Sequence, residues 1–191
     1  MILLSHALVA HASLPPSTAT WTLLSSAPVK IECTTHEEKP YCRATGIIGT
    51  TPDKAATTFA ELDKHVSQMA AILVVERLEP DVLRIVMDYP WPINDRDYVA
   101  RFTRTEQEGA QVFTWTPVEH ANAPVDPKIV RLTQLDGEWR FAPDGDRTRV
   151  TYLWEADPGG GIPDANMVRK KAGLFALTDI ATACGTTVLS P

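Results

Sequence analysis

Strict alternation of apolar and polar residues marks several segments in the second half of the chain. In each one the bulky apolar side chains fall on every second residue, so they share one face of a strand. This pattern predicts antiparallel strands with one lined face and one wetter face. The segments and their inward residues are Val82–Tyr89 (Leu83, Ile85, Met87, Tyr89), Asp97–Arg104 (Tyr98, Ala100, Phe102), Gln111–Thr116 (Phe113, Trp115) and Arg147–Ala156 (Val150, Tyr152, Trp154).

Further strands are indicated by runs of β-forming residues. Ala71–Leu78 predicts one strand. Ile129–Phe141 predicts another, either continuous or broken at Asp136-Gly137. Val29–Thr34 and Tyr41–Gly49 flank a polar turn and predict a hairpin near the start of the folded part.

The hairpin sets two of the three cysteines against each other. If Glu37 and Glu38 form a two-residue turn, Cys33 lies directly opposite Cys42. Their Cβ atoms are then about 4.5–5.5 Å apart, slightly wide of disulfide geometry. The sequence therefore leaves two alternatives open, a disulfide or two free thiols in neighbouring strands. A disulfide would favour an oxidising compartment.

Two helices are predicted from apolar residues at helical spacing. The first opens at Thr51, which can cap it, with Pro52 in the first turn; its apolar stripe is Ala55, Phe59, Leu62 and Val66. The second runs from Pro163 to about Cys184, with Gly185 as its stop; its stripe is Met167, Leu174, Leu177 or Thr178, and Ala181.

The order of these elements predicts an α+β fold. A hairpin and a helix come first, then a run of antiparallel strands, then one long terminal helix. A curved sheet wrapped around that helix encloses a cavity, and small-molecule sites tend to form in such places.

The composition of the chain limits the classes of partner that it can bind. A chain of 191 residues favours one domain. The net charge of −6 argues against nucleic acid as a partner, because phosphate binding needs clustered Lys and Arg. The densest basic run, Arg169-Lys170-Lys171, is interpreted as a solvated helix face. No apolar run approaches the roughly 20 residues of a membrane span, so we expect a soluble protein.

The N-terminal segment permits two interpretations. Residues 1–20 form either a lead or a signal-like segment, and residues 21–191 form the predicted domain. Ala10-His11-Ala12 is similar to a cleavage site, but the segment lacks a basic start. The sequence does not decide between a periplasmic or secreted location and a cytoplasmic one.

Five short motifs in order give the chain a family resemblance. It resembles the START domains, the steroidogenic-acute-regulatory-related lipid-transfer modules, and in particular their small bacterial members within the Bet v 1-like superfamily. The motifs are Pro90-Trp91-Pro92, Asp95–Val99, Gly137–Phe141, Thr148–Tyr152, and Asp157–Gly160 followed by Ile162-Pro163.

The resemblance implies a helix-grip fold, with an antiparallel sheet curved around the C-terminal helix. It also implies that a lipid, sterol or other apolar ligand binds in the tunnel between them, and catalysis is not the family's usual role. Some members place an Arg in the cavity where this chain has Phe102, and its acidic partner falls near Leu83. Arg101 is adjacent to Phe102 in the strand, so its side chain is expected on the opposite face of the sheet, away from the cavity. A charged pair in the pocket is therefore not expected.

Three features keep two interpretations each. Arg96 either belongs to a structural ion-pair cluster that pins the loop to the strand, or holds a ligand head group. Trp91 either packs the loop under the sheet or guards the tunnel mouth. Asp157–Pro163 is a turn into the last helix and, in a cavity protein, a hinge for the ligand. It lacks the Gly-Lys-Ser/Thr ending of a phosphate loop.

We therefore expect a monomeric protein that binds a lipid or other apolar small molecule. We expect it to use no cofactor or metal and to bind no nucleic acid. Transient contact with a membrane is compatible with this function. The alternative is a polyketide cyclase or aromatase that uses the same cavity with a few polar residues. No catalytic residue is assigned. The candidate ligand-binding residues are Leu83, Ile85, Met87, Arg96, Tyr98, Phe102, Phe113, Trp115, Tyr152, Trp154, Met167 and Leu174.

Overall fold

A computed structural model describes residues 14–89, 92–158, 162 and 164–191. Within these residues the helices are α1 (Pro52–Ala60) and α2 (Ala165–Ala183). The strands are β1 (Thr22–Ser25), β2 (Lys30–His36), β3 (Lys39–Ile48), β4 (Ile72–Glu79), β5 (Val82–Met87), β6 (Arg96–Gln107), β7 (Ala110–Pro117), β8 (Val130–Arg131), β9 (Gly137–Asp144), β10 (Arg147–Glu155) and β11 (Val188–Leu189).

The described strands form one sheet in the order β1-β2-β3-β10-β9-β7-β6-β5-β4. All neighbours on this path are antiparallel; β11 pairs with β3, and the short β8 lies parallel to β6. The sheet curves around α2, and one apolar cluster lies between them. The predicted α+β helix-grip fold is confirmed.

The hairpin has the register that its turn predicts. His36 pairs with Lys39, and Glu37 and Glu38 both have positive φ, 49° and 64°. Cys33 therefore lies opposite Cys42, and the two form a disulfide. Of the two alternatives that the sequence left open, the structure has the cross-linked one.

Two predicted elements are shorter than expected. The first helix ends at Ala60, and the chain continues in two short 3₁₀ turns, so Val66 does not extend its stripe. Ile129–Phe141 is not a single strand, because β8 has only two residues and β9 begins at Gly137. The gap between them is longer than the break that Asp136-Gly137 predicts. The short strands β1 and β11 were not predicted.

The terminal helix is fixed at both ends and in its middle. Asp164 caps it by accepting a hydrogen bond from the Met167 amide at 2.9 Å. At Gly185 φ is +74°, a conformation that favours glycine and stops the helix as predicted. A Cβ at Gly173 would lie 3.0 Å from Trp154 and 3.1 Å from Ala44, so this glycine lets α2 approach the sheet closely.

The outer face of the sheet is drier than alternation predicts. Val82 and Val99 are buried there with Ala123, and Val118 packs against them. Ala123 and Val118 lie in the segment between β7 and β8, which covers this face. The prediction of a wet face is wrong for β5, because a non-neighbouring segment covers it. The predicted lead up to residue 13 lies outside the described residues.

Candidate functional site

A cavity of about 130 Å³ lies between the inner face of the sheet and α2. Its wall on the sheet side is aromatic, and its wall on the helix side consists mostly of small and apolar side chains. The aromatic residues on this side are Phe59 from α1, Tyr89 from the segment after β5, and Tyr98, Phe102, Trp115, Trp139 and Tyr152 from the strands. The helix contributes Met167, Val168, Lys171, Ala172, Phe175, Ala176, Asp179 and Ile180.

Alternation places the predicted strand residues on the inner face, and several of them reach the cavity. Residue Ile85 pairs with Tyr98, and Phe102 pairs with Trp115, so side chains of adjacent strands meet on one surface. The candidate residues that line the cavity are Ile85, Met87, Tyr98, Phe102, Trp115, Tyr152 and Met167. Their role in ligand binding stays a prediction.

Three other candidates lie in the packed core instead. Leu83, Phe113 and Trp154 are buried on the inner face but do not line the cavity. Phe113 packs against Phe59 with ring centres 4.9 Å apart, and Trp154 contacts the position of Gly173. The strand period gives the correct face, but the cavity occupies only part of that face.

Leu174, part of the apolar stripe predicted for α2, points away from the cavity. This residue is half-buried against the core and does not line the cavity. The residues that do are spaced three or four apart on the neighbouring face, at Ala172, Phe175, Ala176 and Asp179. Two alanines and an aspartate give this face only a weak apolar pattern in the sequence, with Phe175 as its one large apolar residue, which is why it was missed.

Arg96 is buried, with only 2% of its surface exposed, and lies outside the cavity wall. Its Nε donates to the Pro158 carbonyl at 3.1 Å, its Nη1 donates to the Asn94 carbonyl, and its guanidinium stacks 4.7 Å from the Tyr89 ring centre. These contacts join β6 to the segment after β10. They favour the structural interpretation of Arg96 over a ligand contact.

A buried ion-pair cluster is centred on Asp97. Its carboxylate accepts from Arg131 at 2.7 and 2.8 Å and from Arg84 at 3.0 Å, on the outer face. Arg101 is also on that face, where it pairs with Asp81 at 2.7 Å and Glu79 at 2.9 Å. This confirms that Arg101 faces away from the cavity.

The aromatic wall is a series of nearly parallel rings. Tyr152 stacks on Trp139 at 4.4 Å with an interplanar angle of 24°, and on Trp154 at 4.6 Å and 10°. Trp115 extends the series, 5.7 Å from Tyr152 at 23°. A Cβ at Gly137 would overlap the Trp115 ring, so the glycine provides the space for that indole. Each ring therefore covers part of the face of the next one, and the stacking joins β7, β9 and β10 on the inner side of the sheet.

Polar groups in the wall are few, and one of them is a buried carboxylate. Asp179 has 3% of its surface exposed. Its Oδ1 accepts from the Ala70 amide at 2.8 Å and its Oδ2 from the Ala71 amide at 3.1 Å. Burial raises the pKa of this carboxyl, although the two amide bonds act against that shift. Both carboxylate oxygens are therefore occupied by the segment that precedes β4.

The other polar groups of the wall include three phenols and an indole N–H. Burial raises the pKa of the Tyr89, Tyr98 and Tyr152 phenols, so all three stay protonated near neutral pH. Trp115 is 3% exposed, and its Nε1–H has no acceptor among the described residues. Asp88 and Lys171 line the cavity as well, but both are exposed at its edge.

Sequence reasoning missed Trp139 and Asp179 as wall residues. Trp139 lies two residues before Phe141 in the same strand, so both side chains point to the same face, and this spacing could have predicted Trp139. Asp179 gave no signal, because a lone acidic residue on a helix is usually solvated. The described residues contain no group of three or more His, Cys, Asp or Glu that could hold a metal ion, and no helix among them is long and apolar enough to cross a membrane.

An antiparallel sheet closed on a terminal helix around an aromatic cavity defines the helix-grip class of ligand-binding proteins. The chain belongs to the START domain family, because the family's profile matches residues 15–182. The family resemblance that the sequence motifs indicated is confirmed.

A relative by sequence is an uncharacterized protein from Pseudomonas aeruginosa, 35% identical over 100 residues. The match covers 51% of this chain and 50% of the relative, so the chain spans about half the length of the curated relative it matches.

Solved structures share the fold at low sequence identity. A STAR-related lipid transfer protein from Xanthomonas axonopodis is 22% identical, with a TM-score of 0.73 over 86% of this chain and 98% of that chain. Human StAR-related lipid transfer protein 5 is 19% identical, with a TM-score of 0.60 over 83% and 86%. The Zhui aromatase/cyclase of a Streptomyces species is 16% identical, with a TM-score of 0.50 over 76% and 91%.

Proposed function

We propose that this protein binds an apolar small molecule or lipid in the cavity between the sheet and α2 and carries it without converting it. The observation that supports this most directly is the cavity itself, with an aromatic wall, in a member of the START family. Removing apolar surface from water contributes about 25 cal/mol per Å², so such a wall favours apolar occupants.

The size of the cavity limits what fits without movement. At about 130 Å³ it is close to the roughly 150 Å³ cavity that admits benzene, and below the roughly 300–1,000 Å³ of common ligand pockets. A whole lipid therefore requires part of the wall to move outward. We propose that the wall opens beside Met167 and Phe175, since both line the cavity and both are 39% exposed.

Met167 lies at the start of the terminal helix, one of the segments predicted to open for the ligand. Trp91 and residues 159–161 lie outside the described residues, so their part in opening stays a prediction. Transfer of a lipid between membranes would add transient membrane contact by a monomer, which also stays a prediction.

Binding is favoured over catalysis by the chemistry of the wall. No histidine of the described residues lines the cavity, and the three phenols with raised pKa, those of Tyr89, Tyr98 and Tyr152, stay protonated rather than acting as bases near neutral pH. The carboxylate of Asp179 is already hydrogen-bonded to two amides. The cyclase alternative depends on these same few groups and on the structural likeness to a protein described as an aromatase/cyclase.

The test is identification of what the protein retains. Protein from its own host is extracted with organic solvent, and the extract is compared by mass spectrometry with that of an unrelated protein purified in parallel. We expect an apolar compound in stoichiometric amount. An empty protein that also fails to bind the apolar dye anilinonaphthalene sulfonate and fatty acids contradicts the proposal. Conversion of the retained compound during incubation would favour the cyclase.

A further inference from the structure

A seam in the cavity wall lies between α2 and the segment that precedes β4. Its helix side is formed by Phe175 and Asp179, which lie on the same face of α2 at i and i+4. Its other side is formed by Met69, Ala71 and Ile72. All five residues line the cavity. Phe175 is also 39% exposed, so at this point one side chain separates the cavity from solvent.

Two hydrogen bonds close the seam, and both belong to one side chain. The carboxylate of Asp179 accepts from the Ala70 amide at 2.8 Å and from the Ala71 amide at 3.1 Å. No other hydrogen bond within the described part of the chain joins residues 61–71 to α2. The Ala71 carbonyl accepts the Asp88 amide at 3.0 Å, which ties this end of the segment to the end of β5 and not to the helix.

The segment on the far side of the seam is lightly packed. Residues 61–71, all of which the structure describes, consist mainly of two short 3₁₀ turns, and only Leu62 among them is buried. The start of the segment is fixed by the ion pair of Asp63 with Arg77 on β4. Segments with few buried apolar contacts open locally at a lower free energy than core strands do. Contact between the end of this segment and α2 therefore depends on Asp179.

The closed seam is held against a desolvation cost. Asp179 is only 3% exposed, and burial raises the pKa of its carboxyl although the two amide bonds act in the other direction. Opening the seam returns the carboxylate and both amides to water, where each finds new hydrogen bonds. The bonds across the seam can thus be exchanged for bonds to water, which an apolar contact in the same place could not be.

We propose that Asp179 is a latch: the ligand enters and leaves the cavity through the seam, and the two hydrogen bonds of Asp179 keep the seam closed. This inference rests on the proposed function, since it assigns a route to the same cavity. It narrows the proposed opening beside Met167 and Phe175 to the Phe175 end. Asp179 acts on the wall and not on the ligand, so it is a positioning residue.

The kinetics of dye binding test the latch. Asp179→Ala removes both acceptors, and it is expected to raise the association and dissociation rates together, by roughly tenfold each, the effect of one or two lost hydrogen bonds. Both rates rise because both depend on the population of the open form, so the dissociation constant should change by less than about threefold. The probe is prodan, a neutral naphthalene dye whose binding does not respond to the lost charge, and stopped-flow fluorescence measures both rates.

The matched control lies at the other end of the same helix. Asp164 also accepts a backbone amide, that of Met167 at 2.9 Å, but it does not line the cavity. Asp164→Ala is therefore expected to keep the wild-type rates. Faster exchange of the dye in Asp164→Ala alone places the route at the start of α2 and overturns the latch. Equal acceleration in both variants shows a general loosening of the helix and overturns it as well.

Hydrogen exchange tests the latch without any ligand. The amides of Ala70 and Ala71 are expected to lose roughly tenfold in protection in Asp179→Ala, while the amides of β5 keep theirs. Loss of protection throughout the sheet would show global destabilisation and contradict a local latch. If Asp179→Ala fails to fold, Asp179→Asn keeps the volume and one acceptor oxygen, and it is expected to show a smaller change of the same sign.

The latch and the proposed function fail in different ways. Prodan that binds and leaves at wild-type rates in every folded Asp179 variant contradicts the latch alone. A wild-type protein that binds no prodan contradicts the proposed function, and the exchange of Ala70 and Ala71 then still decides whether Asp179 holds the segment.

Discussion

At the scale of single residues, Asp179 has an uncommon position for a carboxylate. It is on the helix wall of an apolar cavity, and both its oxygens accept amides of the segment before β4. Those two bonds attach α2 to the opposite side of the cavity from its contact with the sheet at Gly173. The residue therefore holds the cavity closed at a cost in desolvation.

The effect of pH on Asp179→Asn follows from the direction of this pKa shift. Burial raises the pKa of the Asp179 carboxyl in the folded protein, so the native state binds this proton more tightly than the unfolded chain does. Its contribution to stability is present below the ordinary Asp pKa and is lost as the pH rises through the folded value. The free energy of unfolding of the wild type minus that of Asp179→Asn is expected to fall as the pH is raised from about 4, near the ordinary Asp pKa, toward neutrality.

Urea unfolding of both proteins across that range measures the difference. A difference that grows with pH would show that the two amide bonds outweigh desolvation, contrary to the expectation. A flat difference would mean that the carboxyl has the same pKa in both states.

At the scale of elements, two cross-links on different faces hold the sheet. The disulfide joins β2 to β3, and the carboxylate of Asp97 joins β6 to Arg84 on β5 and Arg131 on β8. Asp97 is 1% exposed, and its bonds to Arg131 position the segment that covers the outer face.

Removing the carboxylate in Asp97→Ala is expected to destabilise the protein by about 3–5 kcal/mol, because two partly buried arginines lose their partner. Asp81→Ala, which breaks the exposed pair with Arg101, is the control and is expected to cost about 0–1 kcal/mol. Chemical denaturation measures both. Equal costs for the two variants would contradict the structural role of the cluster.

The Asp97 cluster also makes the stability of the protein depend on pH, in the acidic range. Desolvation of Asp97 acts to raise its pKa, but the hydrogen bonds and charges of Arg131 and Arg84 outweigh it and lower the pKa below the ordinary Asp value. Its stabilisation is therefore present above the unfolded pKa and is lost as the pH falls through the folded value. This sign is opposite to that of Asp179.

The disulfide is expected to contribute about 2–3 kcal/mol, since it closes a loop with a sequence separation of 9 residues. Intact mass spectrometry before and after reduction should differ by about 2 Da, the mass of two hydrogens. The paired variant Cys33→Ala with Cys42→Ala should lower the free energy of unfolding, whereas Cys184→Ala leaves the cross-link intact and serves as the mass control. No mass change on reduction of the wild type would show two free thiols.

At the scale of the whole molecule, the cavity exists because α2 contacts the sheet along one line only. Gly173 and Leu177 pack against the sheet, while Ala172 and Ala176 face the space that remains. Small side chains on that face keep the space open. Filling it with a larger side chain tests whether this space is the binding site.

Ala176→Leu is expected to weaken binding of the apolar dye by roughly tenfold or more, since a crowded site costs about 1–3 kcal/mol. The unfolding midpoint should change little, because the added methyl groups enter existing space. Ala165→Leu, the same change on α2 away from the wall, should bind the dye as the wild type does. Equal binding by both variants would place the dye elsewhere.

Much of the candidate site could be predicted from the sequence. Alternation placed Tyr98, Phe102, Trp115 and Tyr152 on the inner face, and all of them line the cavity. The two-residue turn set Cys33 opposite Cys42. Both results depend on local geometry, the period of two along a strand and the length of a turn, which sequence determines directly.

Tertiary structure decided which part of each face meets the cavity. Phe113 and Trp154 have the right parity but lie where α1 and α2 pack directly on the sheet. The face of α2 at Ala172, Ala176 and Asp179 was set by the close approach at Gly173, which rotates Leu174 toward the core. The sequence by itself determined faces, turns and the family; the placement of non-neighbouring segments decided the cavity, because packing between them depends on contacts that no local period encodes.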